Sequence, residues 1–274
     1  MPSNAQRSTL NARNVLDGWL LSRLNQTIKS VTQNLNDYDA YRACEAIEEF
    51  VDDFSNWYIR RSRDRVGPTV EDNKSKILFY ETTFYTLTKL CLILSPFTPF
   101  MTDVIFRNLT KEESVHLASW PKLNLKIDVN LVKQMKVIRE IAEIVHGQRK
   151  DANLPVRQPL QSISVKSPKI RPSNDLLSLL LSEINVKEII WIKGKIMEVV
   201  LDKNISKLLE EEGKARELVR YIQNERRNMG IVLTQKVLVC SPWIPSNKEI
   251  TRWVINKTLA KKLIKGEFKI TKAS

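Results

Sequence analysis

Glycine is almost missing from this chain, with 7 in 274 residues. So few leave little room for tight turns, and no GxGxxG, GxxxxGKS/T or GxSxG run occurs, which removes the common phosphate-cradling and nucleophile loops. Histidine is rarer still. His116 and His146 lie on different elements, without an HExxH pattern, so neither is expected to be catalytic. Cys44, Cys91 and Cys240 are odd in number and form no CxxC pair, which argues against a zinc site or a disulfide framework and for a reducing, cytoplasmic compartment. Cys44 and Cys91 are expected in the core. No uninterrupted apolar run approaches the ~18 residues of a membrane span, and the polar leader of residues 1–13 lacks the apolar centre of a signal peptide. The adjacent carboxylates Asp52–Asp53 and Glu210–Glu212 diverge on a helix and make no general acid/base pair or metal cage. The sequence therefore predicts no catalytic residue, no metal site and no cofactor in this segment.

What the chain has in excess is positive charge. Its 44 Lys and Arg outnumber 31 Asp and Glu, giving +13 and a pI near 9.6. Residues 1–65 carry 9 basic and 9 acidic side chains, 66–150 carry 12 and 9, and 151–274 carry 23 and 13. That C-terminal bias favours a polyanionic partner, nucleic acid before an anionic membrane surface. The sharpest local feature is Ser55-Asn56-Trp57-Tyr58-Ile59-Arg60-Arg61-Ser62-Arg63-Asp64-Arg65. Arg60, Arg61, Arg63 and Arg65 fall within two helical turns, so at least two must face water. Guanidinium groups beside the Trp57 indole suit a phosphate backbone with stackable bases. A solvated helix end whose arginines answer the negative end of the macrodipole fits the same residues. Arg149, Lys150 and Arg157 form a second cationic group. Arg216 and Arg220 share a helix face, where Glu212 and Glu217 can neutralise them; Lys261 and Lys265 share another.

Helical periodicity organises the first 150 residues. Leu16, Leu20, Leu24, Ile28, Val31 and Leu35 predict a helix over 15–34, and Asn36-Asp37 a break and N-cap. Tyr38, Tyr41, Ile47, Phe50, Val51, Phe54 and Tyr58 mark a second helix, stopped by Gly67-Pro68. A third, capped by Thr69, turns Ile77, Tyr80, Phe84, Leu87, Cys91 and Leu94 to the core. Pro99 opens a fourth with Met101, Val104, Ile105 and Leu109. After a return loop over 113–121, a fifth runs from about 129 to 150 with Leu131, Met135, Ile138, Ile141, Ala142 and Val145 on one face. From Leu160 the period changes. Strands are expected over 160–165, 186–192, 196–201 and 236–240, the middle two as a hairpin around Lys193-Gly194-Lys195, with helices over 173–183, 205–229 and 248–263. No internal repeat is evident. The reading is mainly α: an antiparallel helical bundle over 14–150, then a small α+β domain over 151–274.

Particular segments resemble a known family. "NVLDGWLLSRLN" (14–25), "FVDDFSNWYIRRSRDR" (50–65), "LSPFTPFMTDVIFRNL" (94–109), "ESVHLASWP" (113–121), "RKDANLPVRQPLQSISV" (149–165) and "EEEGKARELVRYIQNERRNMG" (210–230) are similar, in family order, to the C-terminal anticodon-binding region of class I isoleucyl-tRNA synthetases. The "HIGH" and "KMSKS" signatures of that family's catalytic domain are absent; His146-Gly147-Gln148-Arg149 and Lys269–Ser274 only echo them. The editing domain is absent as well. The resemblance implies that the intact enzyme attaches isoleucine to its tRNA with ATP and Mg bound in the missing domain, and that this segment docks tRNA. It implies partners of isoleucine-specific tRNA and the catalytic domain in cis or trans, no membrane, and a monomer. The RNA contacts are expected from Arg60, Arg61, Arg63, Arg65 and Trp57, with Arg149, Lys150 and Arg157 secondary. A free-standing RNA-binding protein and a helical protein-interaction module are the alternative readings.

Overall fold

The computed structural model describes residues 14–67, 72–123, 127–232 and 234–272. The leader, Pro68, Thr69 and the last two residues of the KMSKS echo lie outside them. Two compact units divide between Lys136 and Val137.

In the first unit, α1 (Val15–Asn36) buries Leu16, Leu20, Leu24, Ile28 and Val31 as its spacing requires. Asn14 caps its start, the side-chain oxygen accepting from Leu16 N. Tyr38 takes a left-handed φ of 58° in the turn beyond it, and Asp39 rather than Asn36 or Asp37 caps α2 (Ala40–Asp52). Tyr38 and Tyr41 therefore sit at the turn and the first helical turn, where both are exposed. The expected single long helix is interrupted by a π-helical segment, Asp53–Ile59, before one further turn, α3 (Arg63–Val66). Bonds of the i→i+5 type slow the rotation per residue, so residues four apart stop drifting around the axis. Phe50, Phe54 and Tyr58 stay in one stacked column, with centroids 6.3 and 6.0 Å apart, that continues onto Phe79 at 5.6 Å.

α4 (Asn73–Leu94) is capped by Asp72, whose side chain accepts from Ser75 N. Its buried residues are Phe79, Thr82, Thr86, Leu90, Cys91, Leu92 and Ile93; of the expected stripe Cys91 is buried, whereas Ile77, Tyr80 and Phe84 are exposed. α5 (Pro99–Thr110) likewise buries Thr102 and Phe106 and exposes Met101, Val104 and Ile105. The reason is chemical. A helical threonine can return its hydroxyl to the preceding turn, as Thr102 Oγ1 does to Thr98 O at 2.8 Å, and then occupies a core position as if apolar. By length and composition α4 could cross a membrane, contrary to the expectation from apolar runs; here its inner face packs on α1 and on the aromatic column. Beyond α5, Ser114 Oγ and Val115 N donate to Asp103 at 2.7 and 2.9 Å, and Trp120 Nε1 donates to Thr32 Oγ1 at 2.9 Å, binding the return loop to the helices.

α6 (Val129–Asp151) crosses the division between units, with Met135, Ile138, Ile141, Ala142 and Val145 buried as expected. The second unit contains β1 (Leu160–Ser167), α7 (Asn174–Ile184), β2 (Val186–Lys193), β3 (Glu198–Leu201), α8 (Lys207–Asn228), β4 (Val237–Ser241), α9 (Lys248–Thr258), β5 (Ala260–Lys265) and β6 (Lys269–Lys272). β2 and β3 make no hairpin. Both pair with β1, β2 parallel and β3 antiparallel, in the order β2-β1-β3. α9 stops at Leu259, where φ is 53°, so Lys261 and Lys265 belong to β5 rather than to a helix face.

The second sheet repeats the first: β5-β4-β6, with β5 parallel and β6 antiparallel to β4. The unit is thus two copies of helix–β–α–β–β, a repeat that the sequence does not announce. The detail matches. Leu160 N bonds Asn185 O and Val237 N bonds Leu259 O; Gly194 N bonds Ser167 O and Gly266 N bonds Ser241 O. Asn153 and Gly230 take left-handed φ after the long helices, and Asn185 and Leu259 after the short ones. β4 is three residues shorter than β1.

Candidate nucleic-acid interface

The arginine-rich tip is divided by its own geometry. Arg65 turns inward. Its guanidinium grips buried Asp17 through two bonds of 2.6 and 2.8 Å and donates to Ser75 Oγ and O at 3.0 and 3.2 Å. Burial works against the Arg65 charge, but the Asp17 carboxylate more than offsets it and raises the Arg65 pKa. Tyr58 Oη donates to the same carboxylate at 2.9 Å; burial, then Asp17, hold its phenol well above the usual range. Arg65 is therefore a brace between α1, α3 and α4, not a solvent-facing cation. Arg60 and Arg63 are exposed, Arg61 half-buried and Trp57 half-buried. Arg60 Nε donates to Asn56 O at 2.8 Å, which holds its stem along the helix.

The brace adds what sequence reading missed. By tying α3 to Ser75 it brings Lys74, exposed, and Lys76, half-buried, to the same end of the bundle as Arg60, Arg61 and Arg63. These five cations stand with Asp64 and Asp72, and Asp72 is engaged as the α4 cap. The only sequence signal was proximity across residues 66–73. Towards the C-terminal end of α1, about 22 Å along its axis from Asp17, a groove of about 540 Å³ runs between Lys29, Gln33 and Asn36 and the loop residues Trp120 and Lys122. The indole is 36% exposed and fixed by its bond to Thr32.

The second cationic group does not assemble on the surface. Arg149 is 1% exposed. Its guanidinium donates to four carbonyls, Pro155 and Gln158 at 3.2 and 3.0 Å and Ile184 and Asn185 at 2.8 and 3.0 Å. Those oxygens include ones a helix C-terminus leaves without partners, so Arg149 closes the first β-module. Arg226 does the same in the second, donating to Val232, Gln235 and Thr258 O at 3.2, 2.8 and 3.0 Å. Burial lowers both pKa values. Arg157 lies 3.4 Å from Glu217, Arg216 2.8 Å from Glu212, and Lys150 is exposed. His146 faces the buried Glu183 at 3.5 Å. Cys91 is buried, whereas Cys44 is only half-buried. Among the described residues no three His, Cys, Asp or Glu side chains converge as metal ligands.

A helical bundle with a cationic end, followed by small mixed sheets, presents a surface suited to a polyanion. The match to known proteins is more specific. Residues 17–164 match the model of the anticodon-binding domain of tRNA ligase, and the chain belongs to that family. It is 39% identical over 189 residues to an isoleucine–tRNA ligase of Clostridium kluyveri, covering 66% of this chain and 18% of that protein. It is 36% identical over 225 residues to that of Clostridium tetani, covering 80% and 21%. Over 279 residues it is 30% identical to that of Dehalococcoides mccartyi, covering 92% and 27%. The chain thus spans about a fifth to a quarter of the length of these relatives. Binding of tRNA is what membership of this family implies.

Proposed function

We propose that this chain is the tRNA-docking part of an isoleucine–tRNA ligase, acting in the cytoplasm. The observation that carries the reading is the end of the bundle where Arg60, Arg61, Arg63, Lys74 and Lys76 gather around the Arg65–Asp17 brace. Their role is to hold the RNA backbone, which fixes orientation without reading sequence. An unstacked base fits the groove beside Trp120, whose immobilised indole supplies a stacking face while Gln33 and Asn36 offer amide donors and acceptors. Trp120 suits this task better than the half-buried Trp57. Lys150 remains a secondary backbone contact. Arg149 is withdrawn from the RNA-contact set because it is buried with both terminal nitrogens on carbonyls, and Arg157 because it faces Glu217.

The residues present do not fit ATP or magnesium. The sequence has no glycine-rich phosphate loop, and no ligand cluster is found among the described residues. Isoleucine activation belongs, in this reading, to the part of a ligase outside these 274 residues. The exposed apolar stripe of Ile77, Tyr80 and Phe84 on α4 and Met101, Val104 and Ile105 on α5 favours a protein contact as well, and we assign it to that part.

The test is binding of an isoleucine-type tRNA transcript to an Arg60/Arg61/Arg63→Ala variant at several salt concentrations. Removing three phosphate contacts should weaken binding and make the salt slope shallower by about 2 to 3. Unchanged affinity and slope would reject the tip as the docking surface.

A further inference from the structure

The two β-modules are an internal comparison. They share connectivity, a buried arginine and left-handed bends, so a difference between their solvent faces is not demanded by the fold. The outward rows of the second sheet are Lys262–Leu238–Thr271 and Ile264–Cys240–Lys269. Aligned through Ser167 and Ser241, which accept from Gly194 and Gly266, the same rows of the first sheet are Ile190–Ser164–Val200 and Ile192–Lys166–Glu198. Lys262 thus stands where the first sheet has Ile190, and Lys269 where it has Glu198, a reversal of sign.

The change is regional. Residues 236–272 hold nine Lys and Arg, all exposed, against Glu249 and Glu267, whereas residues 160–201 hold six against four. Lys262 and Lys269 lie on the two outer strands in successive outward rows, about 10 Å apart across the sheet and about 7 Å apart along it. Between them Leu238, Cys240 and Ile264 make a partly exposed apolar floor. Staggered cations on the two edges of a partly apolar surface match a ribose–phosphate chain that crosses the sheet obliquely, with phosphates on the rims and sugar or base faces over the centre.

We infer that the outer face of the β4–β5–β6 sheet is a second RNA contact, receiving the backbone of the tRNA that the bundle docks. This rests on the tRNA-binding reading above. The charge would also attract an anionic lipid surface. RNA is favoured because the chain belongs to a tRNA ligase family, so one polyanion accounts for both cationic regions.

The experiment uses the whole chain and an isoleucine-type tRNA transcript. A Lys262→Ala/Lys269→Ala variant should bind about tenfold more weakly at low salt, with a slope shallower by about 1 to 2. Lys262→Arg/Lys269→Arg should bind like the parent, and Glu198→Gln on the first sheet should change nothing. Alkylation of Cys240, followed by mass spectrometry on the unsubstituted chain, should slow when tRNA saturates the protein; this readout is independent of any variant's folding. Unchanged affinity, slope and Cys240 reactivity would overturn the inference. If the bundle arginines were still required, that result would leave the proposed function standing. An unsubstituted chain that does not bind tRNA removes both. Loss of binding to phosphatidylglycerol vesicles with tRNA binding intact would assign the face to lipid and overturn the inference.

Discussion

Arginine has two opposite uses here, and residue type does not separate them. Arg60 and Arg63 face water; Arg149 and Arg226 are each 6% exposed or less and spend their donors on backbone carbonyls. Five donors in a rigid fork let one side chain satisfy carbonyls from two segments at once, which a lysine ammonium cannot reproduce. Arg149→Lys and Arg226→Lys should therefore each destabilise the second unit by about 3 kcal/mol, since carbonyls are orphaned and a buried charge is left poorly matched. Urea unfolding read by circular dichroism checks this; a loss below about 0.5 kcal/mol would contradict the plug role. In sequence Arg149 reads as a surface cation because it ends a long charged helix. The partners of both arginines are the loop 6 to 9 residues on and short-helix ends 32 to 36 residues on, and the second of these is not revealed by any local pattern.

At the scale of elements, periodicity was a good guide where one face alone was apolar. α1 and α6 bury the residues their spacing selects, apart from the half-buried Leu35 and Leu131. It failed where apolar residues occupy more than one face and threonine takes the core, as in α4 and α5. The groove beside Trp120 was not legible at all, because Trp120 and Thr32 are 88 residues apart. The return loop also depends on distant chemistry. Hydrogen bonds from Ser114 Oγ and then Val115 N hold the Asp103 carboxyl below its usual pKa. A carboxyl depressed in the folded state contributes stability fully above its unfolded value, about 3.9, and loses it as pH falls through the folded value. The loop should therefore loosen from about pH 4 downward. Amide hydrogen exchange at Val115 and His116 should report this, and Asp103→Asn should remove most of the pH dependence. Exchange indifferent to pH in the parent would contradict it.

For the molecule as a whole, net charge and family agree on tRNA. With about five phosphate contacts, affinity should fall about 10²- to 10³-fold between 50 and 200 mM salt. Equilibrium binding across that range measures it, and a flat profile would mean recognition without the phosphate backbone. The isolated chain should also show no isoleucine-dependent exchange of pyrophosphate into ATP; measurable exchange would contradict its reading as the docking part alone. The helical bundle and the mixed α/β character of the C-terminal unit could be read from patterning. The duplication could not. The copies share Arg149 and Arg226, Gln158 and Gln235, Val165 and Val239, Ser167 and Ser241, and the run Ile192-Lys193-Gly194 with Ile264-Lys265-Gly266. The arginines, serines and glycines among them act on or through backbone groups, which leaves many of the surrounding side chains unconstrained by the fold.

A clasp that recognises only main-chain oxygen is blind to the letters written around it. Each βαββ module can exchange its outward alphabet, acid for base or aliphatic for cation, while the latch beneath still shuts. Architecture of this kind separates staying folded from choosing what to touch, so the outward side chains of either module can be exchanged without opening it.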